Sequence, residues 1–169
     1  MELKKVTRKQ INSKECFICG IDNDAGLKMR FYETEDNCVV GRFVARGVHQ
    51  SYPGRLHGGI ASTVLDEILG RTIQLYEPEA WAVTADMSVK YKKPIPLNAE
   101  LRAVARPTKY VHGLLFAEGE ITDMDGNVLA TASGRYMKLS LNRIVGETGA
   151  VADEHTNFIL DEENDPEYI

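Results

Sequence analysis

Hydrophobic and polar positions change period near the middle of the chain. From residue 60 to about residue 76 the apolar side chains Ile60, Ala61, Val64, Leu65, Ile68 and Leu69 share one half of a helical wheel, while Ser62, Thr63, Asp66 and Glu67 lie outside it. After Pro78 the period becomes two. Val83, Ala85, Met87, Val89 and Tyr91 alternate with Thr84, Asp86, Ser88 and Lys90, the pattern of a half-buried strand that Pro94 and Pro96 bring to an end. Further strands are predicted over residues 99–108, 111–123 and 127–139, with Asp125-Gly126 as the turn between the last two. Before the helix, runs at 27–32 and 38–46 flank a polar turn and read as a hairpin. The order is two strands, one long helix, then four strands in a meander. One helix covers one face of one sheet, so the expected fold is α+β: a mostly antiparallel sheet of about six strands wrapped around a central helix.

The ends differ from this middle. Residues 1–15 are polar and read as a lead-in, with a short helix as one reading; residues 16–140 form the domain. Residues 141–169 turn acidic and are expected to be a largely solvated tail. No apolar run approaches the roughly 20 residues of a membrane span, and the N-terminal stretch lacks a secretory apolar core, so a cytoplasmic protein without a membrane partner is expected. A net charge of −5 gives no electrostatic case for nucleic acid. The three cysteines, Cys16, Cys19 and Cys38, do not suggest a disulfide framework. Cys16 and Cys19 form C-x-x-C, half of a zinc site, but no second pair follows and the four histidines are scattered, so packing is favoured and no metal is expected.

Candidate chemistry concentrates where the loop enters the helix. In His57-Gly58-Gly59 the first helical amides have no intrahelical partner and point out at the positive end of the dipole. Such amides hold an oxygen that becomes negative during acyl transfer; the plainer reading is two glycines permitting a tight turn. Asp66 lies seven residues after Gly59, back on nearly the same helix face but about 10 Å further along the axis. The two do not reach one carbonyl carbon from the same chain. If both act, they act in sites shared by two subunits whose helices run antiparallel about a twofold axis. The plainer reading of Asp66 is a solvated carboxylate, and Glu67, about 100° away, is its rival.

The run Tyr52-Pro53-Gly54-Arg55-Leu56-His57-Gly58-Gly59-Ile60-Ala61-Ser62-Thr63-Val64-Leu65-Asp66-Glu67 resembles the PaaI-like acyl-CoA thioesterases of the hotdog-fold superfamily. Cys16-Phe17-Ile18-Cys19-Gly20, then Asn23 and Gly26-Leu27, is similar to an N-terminal signature of one branch, and Val83-Thr84-Ala85-Asp86-Met87 with Tyr91-Lys92-Lys93-Pro94 to the strand after the family's helix. The likeness spans roughly residues 16–139. It implies a homodimer, with a dimer of dimers as a further arrangement, that hydrolyses acyl-CoA without a cofactor, coenzyme A being part of the substrate. It puts the general base or nucleophile on Asp66, the oxyanion amide on Gly58 with Gly59 beside it, His57 near the thioester carbonyl, and a water-orienting hydroxyl on Thr84. Where some members carry Asn six residues before the histidine this chain has Ser51, with Gln50 as a substitute. Lys92, Lys93 and Arg106, together with Lys90 and Lys109, are the candidates for the coenzyme A phosphates. Two rival functions remain at this stage: an acyl-thioester hydratase or dehydratase built on His49 and an acidic residue, and a non-catalytic acyl-CoA-binding protein.

Overall fold

The structure, a computed structural model, describes residues 3–146, 158–160 and 165–169. Its elements in chain order are β1 (Val6–Lys9), β2 (Asn12–Ser13), β3 (Arg30–Thr34), β4 (Val39–Val44), α1 (Gly58–Arg71), β5 (Trp81–Tyr91), β6 (Glu100–Val111), β7 (Leu114–Asp123), β8 (Val128–Leu139), α2 (Leu141–Val145) and β9 (Phe158–Ile159). A 3-10 turn, Thr72–Leu75, continues α1. Seven strands form one antiparallel sheet in the order β1-β3-β4-β6-β7-β8-β5, and β2 pairs with β9 in a second, two-stranded sheet. The sheet wraps α1, which packs on β4, β5, β6, β7 and β8. This is the hotdog arrangement expected of the chain.

The helical stripe is the reason the layers hold. Val64, Leu65, Ile68 and Leu69 are fully buried against sheet residues that include Phe31, Leu101, Leu115 and Ile121. Each such aliphatic side chain contributes about 1.5–3 kcal/mol on removal from water. Close approach of the layers needs a glycine on β7: a Cβ at Gly119 would lie 2.7 Å from the Val104 carbonyl and 2.9 Å from Leu69 Cδ1. Among the described residues no helix is long and apolar enough to cross a membrane.

Four details depart from the sequence reading. The four strands after the helix do not form one meander; β6, β7 and β8 do, and β5 lies beyond β8 at the sheet edge. The turn between β6 and β7 sits at His112-Gly113, both with positive φ (50° and 78°), as a two-residue hairpin loop requires, so β7 starts later than expected. The N-terminal lead-in forms strands rather than a helix, and β1 supplies the seventh strand. The acidic tail is only partly accounted for, since its clusters at 153–155 and 161–164 lie outside the described residues. The part that is described is tied in: Ile169 is 1% exposed beside Tyr32 and Val40, and Lys4 and Ile169 exchange two backbone hydrogen bonds of 2.9 Å.

Leu65→Ala is expected to destabilise the fold by about 2–5 kcal/mol, because the cavity lies between two packed layers. Leu3→Ala, at a site 59% exposed, is expected to change stability by less than about 0.5 kcal/mol. Urea unfolding of the two variants checks both values.

Candidate active site

The loop before α1 is held rigidly. His49 is buried, its Nε2 donating to the Ala25 carbonyl at 2.8 Å and its Nδ1 accepting the Arg46 amide at 2.9 Å. Both ring nitrogens are therefore engaged. The His49 carbonyl accepts the His57 amide at 2.9 Å, which fixes the entry to the helix. His57 is the N-cap: its backbone is extended (φ −65°, ψ 132°) and its Nδ1 accepts the Gly59 amide at 2.9 Å. This satisfies one of the orphan amides. Gly58 is the first helical residue, and among the described residues no acceptor lies on its N–H. Its carbonyl accepts from the Tyr91 hydroxyl of β5 at 2.9 Å and from Ser62 Oγ, one turn along the helix, at 3.1 Å.

Beside Gly58 opens a groove of about 290 Å³ lined by Leu56, Ala61, Tyr91, Lys92, Lys93 and Ile95 among others. Lys92 and Lys93 are exposed there, at the end of β5. Gln50 and Ser51 are exposed in the preceding loop, where Gln50 Oε1 accepts the Gly54 amide at 2.9 Å and the Ser51 amide donates to the Arg55 carbonyl.

Asp66 occupies a separate hollow further along α1, of about 150 Å³, shared with Trp81, Thr84 and Tyr136. Its Oδ1 accepts from Thr84 Oγ1 at 2.7 Å and from the Tyr136 hydroxyl at 3.1 Å. Among the described residues no donor lies on Oδ2. Burial, then the neighbouring Asp66 carboxylate, pushes the Tyr136 phenol well above its ordinary range, so it stays protonated and donates. Glu67 also borders this hollow, but its Oε1 takes the Arg71 Nε at 2.8 Å. The rival carboxylate is thus committed to an ion pair.

Thr84 reaches Asp66 because β5 is bulged. Strict alternation groups Thr84 with Asp86, Ser88 and Lys90 on one face. The register instead slips between Thr84 and Asp86, leaving Ala85 without a partner on β8, so Ala82 and Thr84 share the helix face with Met87, Val89 and Tyr91. Lys90 and Arg106 stay on the other face, lining a hollow with Ser88, Glu118 and Ser133, where Arg106 Nε pairs with Glu118 at 2.9 Å. Lys109 lies 5.8 Å from the Phe116 ring. Within one chain the fold therefore brings together Asp66 and Thr84, and separately His57, Gly58, Gly59, Lys92 and Lys93. It does not bring Arg106 to either group. Tyr136 has no sequence signal of its own, because its role comes from the pairing of β8 with β5.

The family model for the thioesterase superfamily matches residues 53–130, the span that carries both groups. Mouse (Mus musculus) acyl-coenzyme A thioesterase THEM4 is 30% identical over 134 residues, covering 78% of this chain and 56% of its own length, so the chain spans about half of that relative. The PaaI protein of E. coli superposes with a TM-score of 0.61 at 14% identity, covering 68% of this chain and 81% of that one. A Bacillus halodurans protein crystallised with CoA superposes with a TM-score of 0.54 at 27% identity, covering 59% and 66%. The chain is thus similar to the thioesterase superfamily over residues 53–130 and shares the hotdog fold of the E. coli PaaI protein.

His57→Ala is expected to lower stability by about 1 kcal/mol through loss of the helix cap, and His57→Asn to recover most of that loss. Chemical denaturation of the two variants side by side makes the comparison.

Proposed function

We propose that this protein hydrolyses acyl-CoA thioesters as a twofold dimer, with Asp66 of one subunit and the Gly58 amide of the other acting on the same carbonyl. The observation that carries the reading is the separation of the two groups within one chain. Each lies in its own hollow on α1, eight residues and about 12 Å apart along the helix axis. A second copy with its helix antiparallel brings each half-site against its complement. Strand β5 lies at the edge of the sheet, and its free side is the natural place for that copy to pair.

In this arrangement Asp66 accepts a proton from a water as that water attacks the thioester carbon. A carboxylate is intrinsically a weak base at neutral pH, but a thioester is activated enough for a positioned water or for direct carboxylate attack. Thr84 and Tyr136 both hold Oδ1, which leaves Oδ2 as the atom to face the water. The oxygen of the tetrahedral intermediate lies on the Gly58 N–H, at the positive end of α1. Collapse breaks the carbon–sulfur bond and releases coenzyme A as the thiol. Lys92 and Lys93, in the groove beside Gly58, suit its phosphates. The family relationship and a structural neighbour that holds CoA support this substrate class. The hydratase reading loses its base, because both nitrogens of His49 are engaged in a buried site. Retention of both His57-Gly58-Gly59 and Asp66 argues against a binding protein without turnover.

Asp66→Asn is expected to slow thiol release from acyl-CoA by about 10²–10⁴-fold while the dimer stays intact by sedimentation. Near-wild-type turnover in that variant would remove Asp66 from the mechanism. Gly58→Pro deletes the amide hydrogen at the one helical position where proline fits, after an extended residue 57, and is expected to cost about 10²–10³-fold. Mixing the two inactive variants distinguishes shared from single-chain sites. Shared sites leave one of the two sites in each heterodimer fully wild-type, restoring about a quarter of the activity after statistical exchange. Sites confined to one chain restore none.

A further inference from the structure

The C-x-x-C pair sits in a network of hydrogen bonds at the N-terminal segment. Cys16 and Cys19 close a tight turn in which the Gly20 amide donates to the Cys16 carbonyl at 2.8 Å. A Cβ at Gly20 would lie 2.3 Å from that oxygen and 2.6 Å from the Cys16 nitrogen, so the turn requires glycine there. The Ile18 and Cys19 amides donate to Cys16 Sγ at 3.3 Å and 3.5 Å. Cys19 Sγ accepts from the Ser13 amide at 3.3 Å and from Arg71 Nη2 at 3.1 Å. The two sulfurs and a Glu67 carboxylate oxygen all lie within 4.8 Å of one another. Cys16 is half-buried and approachable; Cys19 is 1% exposed. Three donors are one short of a tetrahedral metal set, and the buried Arg71 guanidinium already supplies the positive charge, touching both Cys19 and Glu67.

We propose that Cys16 and Cys19 form a thiol–disulfide exchange site for small organic disulfides, with Cys16 as the attacking thiol and Cys19 as the resolving one. Cys16 thiolate attacks one sulfur of the disulfide; that sulfur–sulfur bond breaks and the first thiol leaves, taking up a proton. Cys19 then gives up its proton and its sulfur attacks Cys16, expelling the second thiol. The dithiol loses two electrons and two protons, and one disulfide becomes two thiols. Arg71 beside Cys19 stabilises the thiolate that forms in the second step.

The surroundings suit the two roles. Cys16 is brought down to about 7, chiefly by the hydrogen bond from the Cys19 thiol, with the Cys19 and Ile18 amides adding to it against burial and the Glu67 carboxylate. Cys19 is pushed up by holding that bond and by burial. Cys38 is an internal control, since burial and then Asp36 raise its thiol. At neutral pH the thiolate fraction therefore favours Cys16 over Cys38, and the lower intrinsic nucleophilicity of the more acidic thiol offsets only part of that.

The test treats the full chain with iodoacetamide and, separately, with glutathione disulfide, and maps the products by mass spectrometry. Cys16 is expected to alkylate faster than Cys38, with a rate that rises through a midpoint near pH 7. Glutathione disulfide is expected to give a Cys16–Cys19 bond, to leave a mixed disulfide on Cys16 in Cys19→Ser, and to leave Cys19 untouched in Cys16→Ser. Equal alkylation of Cys16 and Cys38, no Cys16–Cys19 bond in the wild-type chain, or stoichiometric zinc protecting both thiols would each overturn the assignment. None of these readings depends on thioester turnover.

Discussion

Helix α1 buries Val64, Leu65, Ile68 and Leu69 completely against a single sheet, and that apolar stripe dictates where its polar residues point. With the stripe locked, rotation of the helix is not available, and Asp66 has to face β5 and β8 while Glu67 faces the N-terminal segment. Asp66 then meets Thr84 and Tyr136, and Glu67 meets Arg71. Two adjacent carboxylates with the same chemistry take different environments because one helical step separates them. The His57 cap and the pinned Gly58 carbonyl depend on the same stripe, since it sets where the helix begins.

Much of this was legible in the chain. The stripe announces the helix, alternation announces β5, and Asp125-Gly126 marks a turn, because these signals are local and repeat at a fixed period. The His57-Gly58-Gly59 and Asp66 groups were visible for the same reason, being fixed offsets on one helix. What was not legible depends on residues far apart. The bulge at Ala85 leaves no trace in the alternation of β5, yet it moves Thr84 from the outer face to the helix face. Tyr136 is an ordinary strand residue until β8 lies beside β5. The lead-in reads as polar because β1, VTRK, is only four residues long, too short for an alternation to show, and its partners β3 and residues 165–169 are distant in sequence. Arg106, a reasonable phosphate ligand by charge alone, is turned to the opposite face and paired with Glu118.

The N-terminal segment also ties two features together that the sequence leaves unrelated. Arg71 ends α1, stacks 4.2 Å over Phe31 and donates to the Ile11 carbonyl at 2.9 Å, as well as to Glu67 and Cys19. One guanidinium thus joins the helix, the sheet and the cysteine turn. Arginine suits this position because its planar fork serves several acceptors at once, which a lysine ammonium on a flexible stem does less well.

Residues 165–169 run along the outer side of β1, with Val6 donating to Glu167 and Lys4 paired with Ile169. Closing so long a loop is entropically expensive and gains nothing until the sheet beneath it exists. That seam is therefore expected to form after the sheet beneath it. The seam is also the first part expected to open by fraying, well before the layer around α1 loosens.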